Sequence, residues 1–125
     1  MKNAQLFAPE AYWKLSPAQQ KALCNGCGTD TTWFVPDTIW GLRITPACNI
    51  HDYMYKTGTT IEDKHSADRA FLNNMLRLIR AKTRLPWMIH LRVRRARIYY
   101  EAVHLLGGPA FWAGKNAPGE MGTVS

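Results

Sequence analysis

Three stretches of this chain set apolar residues at helical spacing, and two of them interrupt the apolar face with groups that packing alone does not call for. From Pro86 to the Gly107-Gly108 pair, Ile89, Val93, Ala96, Tyr100 and Val103 fall on one side, with Arg94 nearly opposite. That pattern predicts a long helix, opened by proline and stopped by glycine. From Ser66 to Ile79, Phe71, Leu72, Met75 and Ile79 share a face, and Ser66 is the expected cap. Asp68 lies on that same inward face. A carboxylate there is costly unless donors reach it, so a buried partner is expected elsewhere in the chain.

The third stretch runs Thr45-Pro46-Ala47-Cys48-Asn49-Ile50-His51-Asp52-Tyr53-Met54-Tyr55. Thr45 as a cap, Pro46 at the first position and Gly58 as a stop predict a helix. On it Cys48, His51, Asp52 and Tyr55 stand at i, i+3, i+4 and i+7, so a thiol, an imidazole, a carboxylate and a phenol share one stripe. Neighbouring His51 and Asp52 point about 100° apart and address different points of one cleft. His51 suits proton transfer, and Asp52 suits a hard cation. Asp68 is the expected partner of His51, with Tyr55 as a second donor to it. A carboxylate on one imidazole nitrogen fixes the tautomer and leaves the other nitrogen free to take a proton from water. Taken singly, an inward histidine or aspartate is more often an ordinary core or capping residue; the joint spacing is what points to a site.

These patterns describe a mainly α, single-domain protein spanning residues 1–125. The helix around His51 is expected to pack antiparallel to the helix around Asp68. A short helix, roughly Pro17 to Leu23, and the long one from Pro86 complete a small bundle. A minor hairpin near Trp33 is compatible with it. Met54 and Met75 read as core filler, and Tyr99 and Tyr100 as core or interface aromatics, one of which could reach Asp68.

Cys-x-x-His-Asp-x-x-Tyr followed by Ala-Asp-x-x-Phe resembles the active-site signature of the secreted phospholipase A2 superfamily. The longer run from Pro46 to Tyr55, preceded by Asn25-Gly26-Cys27, is most similar to its compact bacterial and fungal branch, and the resemblance covers about residues 24 to 76. It implies a small phospholipase A2-like domain whose two antiparallel core helices carry the site, and calcium-dependent hydrolysis of the sn-2 acyl ester of glycerophospholipids. It further implies His51 as the base that activates water, Asp68 as the carboxylate that orients it and Tyr55 as a donor to that pair. Asp52 would be the side-chain calcium ligand, joined by the carbonyls of Gly26 and Gly28 in the loop Asn25-Gly26-Cys27-Gly28-Thr29-Asp30. Asn25 stands where the bacterial branch tends to have aspartate. A neutral amide lowers the ligand charge, so weak calcium affinity is expected unless Asp30 or Asp37 contributes. The resemblance also implies a disulfide between Cys27 and Cys48, leaving Cys24 over.

The segment from Thr31 to Arg43 is longer than in compact members, and it carries Trp33, Phe34, Val35, Pro36, Ile39 and Trp40. Such a segment is either a lid packed on the core or a surface that enters lipid headgroups. Charge bears on that choice. The net charge is +7, and ten of the sixteen Lys and Arg residues (Lys64, Arg69, Arg77, Arg80, Lys82, Arg84, Arg92, Arg94, Arg95 and Arg97) lie where only Asp68 opposes them. A basic half of this kind is drawn to anionic headgroups or to nucleic acid phosphates, or is simply a solvated helix face. With the aromatic residues beside it, an anionic membrane surface is the expected partner, met by Trp33, Phe34, Trp40, Arg77, Arg80 and Arg84. Nucleic acid is not, and no obligatory protein partner is evident. The first ten residues lack a signal peptide's apolar run, so delivery by a phage-type or effector-type route, or a trimmed leader, is expected if the protein acts outside its cell.

Two other functions share these residues. A non-catalytic binder of anionic membranes would keep the scaffold and lose productive metal binding through Asn25. Alternatively, Cys24-x-x-Cys27 with Cys48-x-x-His51 has the spacing of a Cys3His zinc site, beside a basic helix for nucleic acid. The zinc alternative leaves Asp52, Tyr55 and Asp68 without a task, whereas ester hydrolysis uses all three.

Overall fold

The computed structural model describes residues 5–23 and 35–112, and among them helix accounts for 74%. In chain order the elements are α1 (Glu10–Trp13), α2 (Pro17–Leu23), β1 (Thr38–Ile39), β2 (Leu42–Arg43), α3 (Thr45–Thr57), α4 (Ile61–Lys82), α5 (Pro86–Leu106) and α6 (Gly108–Trp112). Short links join α3, α4 and α5, which forces neighbours to fold back on one another. The side chains agree: the His51 ring meets Phe71 at 4.8 Å between centroids, while the Lys64 ammonium lies 5.8 Å from the centre of the Tyr55 ring. Partners on α4 thus move backward as α3 advances, and the two helices run antiparallel.

Two starts differ from expectation. Helix α3 has Ile44, not Thr45, at its N-cap, and no side chain caps it. The Thr45 hydroxyl instead donates to Asp37 at 3.2 Å, which ties the helix to the residue that precedes β1. Helix α4 begins five residues before Ser66, because Thr60 and Asp63 form a reciprocal capping box. The Asp63 amide donates to the Thr60 hydroxyl at 3.1 Å, and the amides of Thr59 and Thr60 donate to the Asp63 carboxylate at 2.8 and 3.1 Å. Those amide bonds hold its pKa below the ordinary range. Helix α4 ends at Lys82, and Arg84 lies in the link to α5. Helices α2 and α5 span the expected residues.

The hairpin falls downstream of Trp33. β1 and β2 pair antiparallel, Ile39 opposite Leu42, around Trp40 and Gly41. Both turn residues have positive φ, 47° and 80°, the combination a two-residue hairpin turn with the right twist demands. The hairpin divides the aromatic segment in two ways. Val35, Ile39 and Leu42 join the core with Ala47, Cys48, Phe71, Met75, Ile79, Ala96 and Val103, whereas Trp40 stands 52% exposed. Trp33 and Phe34 lie outside the described residues.

The N-terminal segment is held by a single buried side chain. Asn74 accepts from the Phe7 amide at 2.6 Å and donates to the Phe7 carbonyl at 2.7 Å, so one amide side chain imitates a strand partner. Arg77 adds a bond to the Gln5 carbonyl at 3.0 Å. Nearby, Tyr12 packs with Ile50 and Tyr53 on the side of α3 away from the main core.

Candidate active site

Helical spacing brings His51 and Tyr55 onto the face of α3 that meets α4, one turn apart, and both reach the same atom. His51 Nε2 lies 2.8 Å from Asp68 Oδ1, and the Tyr55 hydroxyl donates to that oxygen at 2.6 Å. Asp68 has no exposed surface, and His51 and Tyr55 are 3% and 4% exposed. The imidazole is further boxed by the Tyr55 and Phe71 rings, at 4.1 and 4.8 Å between centroids. Its orientation is therefore fixed by packing as well as by the carboxylate. Among the described residues no hydrogen bond engages Nδ1, which leaves that nitrogen as the proton acceptor when Nε2 carries the proton toward Asp68.

Two further residues complete the surroundings of Asp68. The Lys64 ammonium, itself buried, donates to Asp68 Oδ2 at 2.8 Å and to the carbonyls of His104 and Val103 at 3.0 and 3.4 Å. Three donors thus meet three acceptors, two of them carbonyls at the C-terminal end of α5, where a helix welcomes a cation. His104 Nδ1 lies 3.5 Å from Asp68 Oδ2, and its ring stacks on Tyr100. The expected help from Tyr99 or Tyr100 is not found. Tyr99 donates to the Thr38 carbonyl at 2.8 Å instead, fastening α5 to β1.

The electrostatics follow from these partners. Burial by itself would raise the Asp68 pKa, but hydrogen bonds from His51, Lys64 and Tyr55 more than reverse it and hold the carboxyl below its ordinary range. Burial, with the neighbouring Asp68 charge, pushes the Tyr55 phenol far up, so it remains a neutral donor. Gly107 supplies the room. A Cβ there would collide with the Val103 carbonyl oxygen and lie 2.5 Å from the Tyr55 hydroxyl, so a side chain would force the phenol or the α5 backbone to shift.

Asp52 is 5% exposed, one residue beyond His51, with the Lys56 ammonium 3.5 Å from its carboxylate. It offers the hard oxygen donor that calcium prefers. Asn25, Gly26 and Gly28, the other expected ligands, lie outside the described residues, as does Asp30; among the described residues no group of three or more acidic, histidine or cysteine side chains is arranged to hold a metal ion. Asp37 is engaged with Thr45 and Arg43. Cys48 is disulfide-bonded, and Cys27, its expected partner, lies outside the described residues together with Cys24. A sulfur in a disulfide has no thiolate to give to zinc.

Of the surface residues named from sequence, Trp40, Arg77, Arg80 and Arg84 are exposed. Among the described residues no helix is long and apolar enough to cross a membrane. No protein-family model, curated protein or solved structure matches the chain.

Proposed function

We propose that this protein hydrolyses the sn-2 acyl ester of glycerophospholipids at a membrane surface with calcium as cofactor, as the resemblance to the secreted phospholipase A2 superfamily implies. The observation that carries the proposal is the pairing of His51 Nε2 with a fully buried Asp68 that Tyr55 and Lys64 also hold. A histidine built into the core for packing alone needs no ionised acid with three donors behind it.

In this mechanism His51 takes a proton from water through Nδ1 as the water attacks the ester carbonyl. Asp68 keeps the ring in the productive tautomer and stabilises the imidazolium that forms. Tyr55 and Lys64 hold the carboxylate in place, and both act through Asp68 rather than on the substrate. Asp52 would hold the cation together with the carbonyls of Gly26 and Gly28 and the amide of Asn25. Bound calcium would supply positive charge against the oxyanion that develops on the ester. His51 then returns its proton to the departing alkoxide, which leaves as the lysophospholipid.

The test is fatty-acid release from phospholipid vesicles across a calcium titration. Release should depend on calcium, stop on chelation, and fall by about 10²–10⁴-fold in His51→Gln. Release that survives both chelation and that substitution would refute the proposal. Vesicle binding without any product would point to the non-catalytic membrane binder instead.

A further inference from the structure

The turn between β1 and β2 spends conformational energy to display a tryptophan. Trp40 has φ of 47°, a region that bulky residues avoid and that hairpin turns normally give to Asn, Asp or Gly. Its ring is nevertheless 52% exposed, so the core does not repay that conformation. Two arginines of α5 hold the turn. Arg92 donates to the Trp40 carbonyl at 2.8 Å and to the Thr83 hydroxyl at 2.7 Å, and the Arg95 guanidinium lies 5.5 Å from the Trp40 ring centre. The hairpin tip and the α4–α5 link are therefore one corner of the molecule.

That corner is apolar at its points and cationic around them. Leu85 and Trp87 are 53% and 58% exposed. Beside them a groove of about 360 Å³ is lined by Lys82, Thr83, Arg84, Leu85, Met88 and Arg92. The sequence holds no acid between Arg69 and Tyr100 to offset these cations.

We propose that this corner is a docking surface for an anionic phospholipid bilayer, with Trp40, Leu85 and Trp87 entering the headgroup region and Lys82, Arg84 and Arg95 meeting lipid phosphates. Tryptophan at the interface and cations within a Debye length of anionic headgroups are the two contributions such binding draws on. A second copy of the chain fits poorly, because it would press arginine against arginine. Nucleic acid answers the charge but not the exposed Leu85 beside an apolar groove. The proposal goes beyond the chemistry argued above and holds whether or not an ester is cleaved.

The test uses the full chain carrying His51→Gln, so that no lipid is consumed, in sedimentation with vesicles of phosphatidylcholine alone or mixed with phosphatidylglycerol, and with duplex DNA as a third arm. Binding should require phosphatidylglycerol and weaken with salt. Trp40→Asn should cut it roughly tenfold, because the interfacial anchor is gone, and Arg84→Glu about fivefold or more. Asn suits the left-handed conformation, so Trp40→Asn should keep or raise the thermal midpoint; loss of docking is then separable from loss of fold. Vesicle binding unchanged in both Trp40→Asn and Trp87→Asn overturns the proposal, as does absence of vesicle binding or tighter binding to DNA than to the anionic vesicles. Because turnover is suppressed in the chain under test, these results read docking, and the calcium titration of the unsubstituted chain reads ester hydrolysis separately.

Discussion

Lys64→Met is expected to cost about 3–5 kcal/mol of folding stability, among the largest losses available to a single substitution in this chain. Methionine keeps an unbranched chain, one atom shorter, but removes the donor that meets Asp68 Oδ2 and the carbonyls of His104 and Val103. What remains is a carboxylate with no exposed surface, still charged and short of a partner, and the His104 carbonyl without the ammonium, while the Val103 carbonyl keeps the Gly107 amide at 2.8 Å. Urea unfolding of wild type and variant measures the difference. A loss under about 1 kcal/mol would mean the pair behaves like a surface ion pair, contrary to its burial. The double variant Lys64→Met with Asp68→Asn should recover part of the loss, since the unpaired charge disappears with it.

Asp68→Asn is expected to lower lipid turnover by about 10²–10⁴-fold if the proposed chemistry holds. The amide keeps the shape of the carboxylate, but its NH2 can face His51 Nε2 only if that nitrogen has no proton. The proton then sits on Nδ1, the position that has to accept one from water. The same variant separates folding from catalysis through pH. The Asp68 pKa is lowered in the folded state, so the charged form contributes stability that is complete above the unfolded carboxylate value of about 3.9 and disappears as pH falls through the lower folded value. The stability gap between wild type and Asp68→Asn should therefore hold near neutrality and close on acidification below about pH 4. A gap that widened in acid would mean that the folded carboxyl titrates above its ordinary range.

The parts of the site that lie within one helix were legible in the sequence. His51 and Tyr55 share a stripe by periodicity alone, and Asp68 stood out because an acid among Phe71, Leu72, Met75 and Ile79 has to be answered by a donor. Lys64 and His104 were not foreseen, because only the packing of the end of α5 on α4 brings them together at Asp68, forty residues apart in sequence. One local signal pointed to Lys64: it stands four residues before Asp68, one turn away on the same helix face. The start of α4 was also available, since Thr60 and Asp63 have capping-box spacing, whereas Ser66 lies inside the helix. The hairpin is different. Trp-Gly is a poor turn signal, and only tertiary contacts from Arg92 and Arg95 account for tryptophan in a position that local preference assigns to smaller residues.

Asn74 sets how readily the segment around Phe7 lifts from α4. Its side chain offers Phe7 a donor and an acceptor together, from a position on α4 with no exposed surface. Phe7 lies outside any helix or strand, where amide protons ordinarily trade with solvent almost at once, but its own is latched to α4. Its exchange rate therefore serves as a gauge of how often that latch opens.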